Sequence, residues 1–216
     1  MVATSSVLFP SKGKKKLEAL LISVIQRVPR RHSFLFCSVR YSRNMAKLVP
    51  ENHPALHTIA EEITAEEFSD GTVAKIVKDL RSAIKTYDVD GYAAVAIAAP
   101  QIGVSKRIFI IEDQSDRDDT LPTLVAINPH ITKLSKKTHL VSEGCLSVPD
   151  TYGMVMRHKN VTMNALDEQG ESYERGAGGL LAQIIQHEND HLDGILFTER
   201  AEKIWHKGEP PPDDHE

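Results

Sequence analysis

Gln186-His187-Glu188-Asn189-Asp190-His191-Leu192-Asp193-Gly194 is the stretch on which the reading of this chain turns. In a helix, residues four apart lie one above the other, so His187 and His191 share a face with Glu188 beside them. Two imidazoles one turn apart can reach a single divalent ion, and a carboxylate next to the first is placed to take a proton from a water there. The spacing points to metal-assisted hydrolysis rather than to a polar turn of an ordinary surface helix. Upstream, Leu180 and Ile184 precede the histidines at helical spacing, with Leu181, Ile185 and Glu188 on the adjoining stripe. The histidines therefore continue an apolar face, where each imidazole needs a partner and one metal serves both. Gly178 and Gly179 mark the start of this helix from a loop, and Gly194 marks its C-terminal stop.

Catalytic sites of this kind use three protein ligands and keep one position for water, so a third ligand is expected elsewhere. Cys145 is the best candidate. It stands in Glu143-Gly144-Cys145-Leu146-Ser147, where the glycine permits close backbone approach and the following main-chain N–H groups lie beside the sulfur. Taken alone, Cys145 would read as a small buried hydrophobe. The other cysteine, Cys37, falls in a segment outside the expected folded body, so a reduced, intracellular setting is expected rather than a disulfide framework.

These two segments resemble the second and third signature motifs of the peptide deformylases. The family's first motif, a Gly-x-Gly-x-Ala-Ala-x-Gln loop, is recognisable in Ala94-Val95-Ala96-Ile97-Ala98-Ala99-Pro100-Gln101, followed by Ile102-Gly103. The resemblance runs from about residue 50 to 199 and includes Asn128-Pro129 and Val155-Met156-Arg157. It implies one divalent metal per chain, usually Fe2+ with Zn2+, Ni2+ or Co2+ as substitutes, held by Cys145, His187 and His191. It further implies Glu188 as general base and later proton donor. The side chain of Gln101 and the main-chain N–H of Leu146 would meet the developing oxyanion. Val95, Ala96, Val141, Gly144, Leu180 and Ile184 would line the substrate site. The implied substrate is the formylated N-terminus of a nascent polypeptide, whose N-formyl group leaves as formate.

The sequence departs from the family pattern at both glycines of the first motif, here Ala94 and Ala96. A methyl at Ala96 narrows the approach of a substrate backbone unless its φ is an ordinary negative value. Gln183, one turn before His187, stands where the family's methionine pocket commonly has an aliphatic side chain. A polar lining there would weaken discrimination by about 1–2 kcal/mol, unless the amide points to solvent. Tyr152 falls where many relatives carry an arginine. Arg157 is retained, and by the resemblance pairs with Glu143.

The chain suits one domain with a full core, and no stretch is long and apolar enough to span a bilayer as a helix. Its net charge of −4 conceals an asymmetry: residues 1–44 hold nine Lys or Arg and the single acid Glu18, leaving seventeen basic and twenty-nine acidic residues in the remainder. That basic extension reads as disordered, as an organelle transit peptide, or as sequence upstream of a start at Met45, the last being favoured. The catalytic domain is expected over 45–204, followed by an acidic, Pro-rich tail over 205–216. Location is expected to be cytoplasmic, with mitochondrion or plastid as the alternative if 1–44 is a transit peptide. No direct nucleic-acid or membrane partner is expected. A ribosome contact follows only from the substrate, since the tail resembles no basic docking helix.

Asp70 can cap an amphipathic helix ending near Tyr87, with Val73, Ile76, Val77, Leu80, Ile84 and Tyr87 on one face. Strands are expected over 107–112, 124–128, 139–142 and 154–166, the last closed by a hairpin turn at Asp167-Glu168-Gln169-Gly170; residues 113–120 read as an acidic, solvated loop. The expected class is α+β: antiparallel β-sheets packed around a C-terminal metal-binding helix, with an N-terminal amphipathic helix. Two rivals compete. One is a His-Glu-x-x-His metallopeptidase whose third ligand is not Cys145; the other is a catalytically silent deformylase-like protein that binds N-termini, against which Glu188 argues.

Overall fold

A computed structural model describes residues 2–3, 8–9, 47–86, 88–89, 92–93, 95–113, 121–210 and 212. Most of the basic extension, Ala94, the acidic loop after Asp113 and the last residues of the tail lie outside the described residues. Two short ribbons come first, β1 (Val2–Ala3) with β2 (Leu8–Phe9) and β3 (Asp88–Val89) with β4 (Tyr92–Ala93). The body is built on two antiparallel sheets. The larger takes β5 (Ala96–Ala98), β6 (Ile108–Ile111), β7 (Leu124–Leu134), β10 (Asn160–Leu166) and β11 (Ser172–Gly178), in the order β11-β10-β7-β6-β5. The smaller is β12-β9-β8, from β8 (Thr138–Cys145), β9 (Val148–His158) and β12 (Ala201–His206).

Among the described residues four α-helices join these sheets: α1 (Ala65–Ser69), α2 (Thr72–Thr86), α3 (Gly179–Leu192) and α4 (Phe197–Arg200). Asp70 accepts the main-chain N–H of Thr72 at 2.8 Å, so its carboxylate serves the open end of α2. The strand period of two explains how the larger sheet receives a helix on each face. Ile97, Ile108, Ile110 and Ile127 pack with Val73, Ile76, Val77, Leu80 and Ile84 of α2. Ala96, Ala98, Phe109 and Ile111 pack with Ala182, Ile184, Ile185 and Leu192 of α3. The unbroken apolar run Ile108-Phe109-Ile110-Ile111 is the signature of a strand covered on both sides, and all four residues are fully buried.

Helix α3 also touches β9, so it lies against both sheets and joins them. Its bounds match the sequence reading closely: Gly178 precedes it with an extended backbone, and Gly194 takes φ 73° just beyond its end. The stretch 154–166, read as one strand, is two. The chain leaves the smaller sheet after His158 and joins the larger at Asn160. The Gln186 carboxamide receives the N–H of His158 at 2.9 Å and donates to its carbonyl at 3.0 Å, satisfying both main-chain groups at the crossing. The predicted turn after Leu166 closes the β10–β11 hairpin, with Gly170 at φ 83°. Strand β12 continues to His206, two residues past the boundary read at 204.

Candidate metal centre

The histidine helix and the cysteine strand converge on one point. The ligand atoms of Cys145, His187 and His191 all lie within 4.8 Å of one another, and all three residues are buried. Cys145 Sγ is 3.3 Å from His191 Nε2 and receives the N–H of Ser147 at 3.4 Å. A register shift between Gly144 and Cys145 ends regular pairing at this point and turns the sulfur toward α3. The two imidazoles stand edge to face, with centroids 5.0 Å apart, and His187 stacks on Phe197 of α4 at 6.3 Å.

A chain of buried charges sets the orientation of His187. Its Nδ1 lies 2.9 Å from Glu143 Oε2, and Glu143 is gripped by Arg157 through Nε at 2.7 Å and Nη2 at 2.8 Å. Arg157 Nη1 reaches Asp190 at 2.6 Å, and Asp190 also meets Arg200 at 2.8 Å. Burial alone would push the Glu143 carboxyl up, but the bonds from Arg157 and then His187 more than reverse this and hold it at about 2. With Glu143 an ionised acceptor, Nδ1 of His187 is the donor of this pair, which leaves Nε2 as the ring atom available to the cluster. That Nε2 is buried and makes no hydrogen bond within the described residues.

These residues fit a divalent metal. An orphaned, buried imidazole nitrogen aimed at a thiol and a second imidazole is costly on its own, and a cation resolves it. The Cys145 thiol is pushed up to about 12, chiefly by burial and further by the negative charge of Glu188, despite the opposing Ser147 N–H. A cation at the cluster is what would hold that sulfur as thiolate. Burial drives the His191 pKa well below its ordinary value, with His187 adding to the effect, so this imidazole is neutral and able to ligate.

Other residues singled out in the sequence fall around this cluster. Glu188 is fully buried next to His187 on α3. Gln101 is fully buried; its Oε1 receives the N–H of Ala98 at 2.9 Å, while its Nε2 faces Cys145 Sγ at 3.6 Å and Ser147 Oγ at 3.1 Å. Val95, Ala96, Leu180 and Ile184 meet in one apolar cluster. Gly144 is buried on β8 and Val141 half-buried there, whereas Leu146 is half-buried against the α2 side of the core. Among the described non-glycine residues only Asn128 and Asp150 have positive φ, so Ala96 sits in its strand without backbone strain.

Gln183 departs from both expectations. Its carboxamide neither faces solvent nor lies free in an apolar pocket: Nε2 donates to the Ser142 carbonyl at 3.1 Å and to Glu143 Oε1 at 3.4 Å. Tyr152 stacks on Trp205 with centroids 5.8 Å apart. The reading from sequence missed Ser147 and Gln186 as supporting polar groups, and missed the Asp190–Arg200 pair. The first two sit inside the quoted motifs, so their positions were the available signal.

A buried Cys/His/His group able to hold a metal ion, with a carboxylate beside the first histidine and mounted between antiparallel sheets, is the arrangement of a metal-dependent hydrolase. The family model described as "Polypeptide deformylase" matches residues 45–207. A peptide deformylase of Fusobacterium nucleatum is 41% identical over 154 residues, covering 71% of this chain and 82% of that protein. "Peptide deformylase 1A, chloroplastic" of Solanum lycopersicum is 33% identical over 180 residues, covering 77% and 63%. A Met-Ala-Ser-bound class I type b peptide deformylase from Acinetobacter baumannii superposes with a TM-score of 0.66 at 32% identity, covering 74% of this chain and 99% of that one. The chain belongs to the peptide deformylase family. Its activity is the metal-dependent removal of the N-formyl group from newly made polypeptides. The family match and the grouping of Cys145 with His187 and His191 speak against the rival with a different third ligand, and the silent N-terminus binder is not favoured.

Proposed function

We propose that Cys145, His187 and His191 hold one divalent cation, Fe2+ in the cell with Zn2+, Ni2+ or Co2+ able to replace it, and that Glu188 and Gln101 perform the chemistry beside it. When bound, such a cation lowers the pKa of water toward neutrality and polarises the formyl carbonyl. Glu188 takes the proton from the attacking water and later delivers it to the departing amine. The C–N bond breaks, the formyl carbon leaves as formate, and the chain's new N-terminus is free. Gln101 offers an N–H to the oxygen that gains charge during attack, jointly with the main-chain N–H of Leu146. The observation that carries this reading is the carboxamide of Gln101. Pinned by Ala98 and aimed at Cys145 and Ser147, it is a donor preorganised at the ligand cluster.

The cluster of Val95, Ala96, Leu180 and Ile184, with Val141 and Gly144 of β8, is the proposed seat of the substrate's first residues. Strand β5 is the edge of the larger sheet, the position from which an extended peptide chain can be aligned. Among the described residues no helix is long and apolar enough to cross a membrane. We place the enzyme in the cytoplasm. Import into a mitochondrion or plastid through the basic residues 1–44 is the alternative, and N-terminal sequencing of the mature protein decides between them.

The test is formate release from formyl-Met-Ala-Ser by anaerobically prepared, Fe2+- or Ni2+-loaded protein. Release is expected to vanish in Glu188→Ala with one metal per chain retained, and to fall about 10²–10³-fold in Gln101→Ala. No release from folded, metal-loaded wild type would sink the reading.

A further inference from the structure

Glu143 is the acceptor on which the orientation of His187 depends, and an ionised carboxylate has about four acceptor positions. Arg157 fills one on each oxygen, and His187 fills the second on Oε2. The remaining position, on Oε1, is taken by Gln183 Nε2 at 3.4 Å. The other hydrogen of the same amide goes to the Ser142 carbonyl at 3.1 Å. Strand β8 is the edge strand of its sheet, and at Ser142 its carbonyl is met by α3 through the Gln183 amide. Gln183 stands one helical turn before His187, and Ser142 stands three residues before Cys145.

We propose that Gln183 is a positioning residue for the metal centre: its carboxamide fixes the cysteine strand to the histidine helix at the separation the three ligands require. This rests on the reading that Cys145, His187 and His191 hold the metal. An aliphatic side chain at 183 would fill the same space. It would also take this donor from the Ser142 carbonyl and from Glu143 Oε1, freeing β8 to shift along α3. Groups that orient a ligand in this way typically change metal affinity by about 10–100-fold when removed.

The test uses the full chain loaded with Co2+, whose absorption reports both the thiolate bond and the coordination geometry. Gln183→Met keeps length and bulk but has no donor. Ile127→Val, in the apolar core away from the site, provides a comparable loss of stability. The proposal expects Gln183→Met to lose Co2+ to a chelator about 10-fold faster than wild type. Its thiolate-to-cobalt band should also shift, while Ile127→Val stays within about twofold with an unchanged spectrum. Equal rates in Gln183→Met and wild type, or equal acceleration in both variants, overturns it. Should Gln183→Met not fold, the side-chain amide resonance of Gln183 in the wild type is followed on adding Zn2+. A shift with slowed hydrogen exchange supports the clamp, and an unmoved, fast-exchanging amide overturns it. Failure of the wild type to bind Co2+ at all would remove the underlying metal reading instead.

Discussion

Helices α2 and α3 both turn one side into the protein, yet they bury different chemistry. The buried residues of α2 are Val73, Ile76, Val77, Leu80, Ala83 and Ile84, set against the isoleucines of β6 and β7. Every residue of α3 from Ala182 to Leu192 is buried, and seven of them are Gln183, Gln186, His187, Glu188, Asn189, Asp190 and His191. Removing an aliphatic side chain from water contributes about 1.5–3 kcal/mol, so α2 is held by area. Burying a polar group costs unless it is bonded, so α3 is held by hydrogen bonds: Gln183, Gln186, His187 and Asn189 donate to β8, β9 or the preceding turn and Asp190 receives Arg157, leaving His187 Nε2 and His191 Nδ1 at the ligand cluster without a partner among the described residues. The first kind of interior tolerates exchange among shapes of similar volume. The second tolerates little, because each member completes another's bonding.

The strongest way to break this contrast is Arg157→Met. It preserves much of the apolar stem but removes both donors from one side of Glu143 and one from Asp190, leaving buried negative charge undercompensated. The expected loss is about 3–5 kcal/mol in urea unfolding of the metal-free protein, accompanied by loss of tight metal binding. A loss below about 1 kcal/mol would mean that the polar interior is not held by its hydrogen bonds. On the apolar side, Leu80→Ala should cost about 3 kcal/mol, whereas Leu80→Met should cost less than about 1.5 kcal/mol. Neither should change Co2+ retention. A Leu80→Met protein as crippled as Leu80→Ala, or one that sheds cobalt, would erase the distinction between the halves.

The same contrast explains what was readable in the chain beforehand. Apolar periodicity is local, so α2, α3 and the strand at Ile108–Ile111 could be found from neighbours alone. The ligand triad was legible because His187 and His191 announce each other at four-residue spacing and Cys145 has its own short motif. The orientation of Gln183 was not. One helical face borders both the apolar cluster and the Glu143 clamp, and only the assembled β8 decides which the amide meets. Nor was the crossing at Lys159, since apolar alternation runs on from β9 into β10 although the two strands lie in different sheets. Arg200 was invisible for a related reason: its carboxylate, Asp190, lies ten residues away across a helix end, with no periodic signal linking them.

The mildest test lies where the larger sheet makes a polar contact. Tyr173 of β11 is half-buried and donates from its hydroxyl to the Val125 carbonyl at 2.8 Å. Tyr173→Phe removes one neutral hydrogen bond and keeps the ring, so the expected loss at pH 8 is about 1 kcal/mol, well below that of Arg157→Met. Burial first, and then the Asp167 charge against an opposing Arg175, raises the phenol to about 12. A folded-state pKa raised above the unfolded value of about 10 favours the neutral phenol, so this contribution is complete below pH 10 and is lost as pH rises through about 12. The stability gap between wild type and Tyr173→Phe should therefore shrink between pH 10 and 11.5 in urea midpoints. The shrinkage would occur because only the wild type carries a proton to lose there. A gap that is constant across that range would show the hydroxyl to be as well solvated in the folded protein as in the unfolded chain. In that case this hydroxyl would add nothing to the apolar area that holds this half of the molecule.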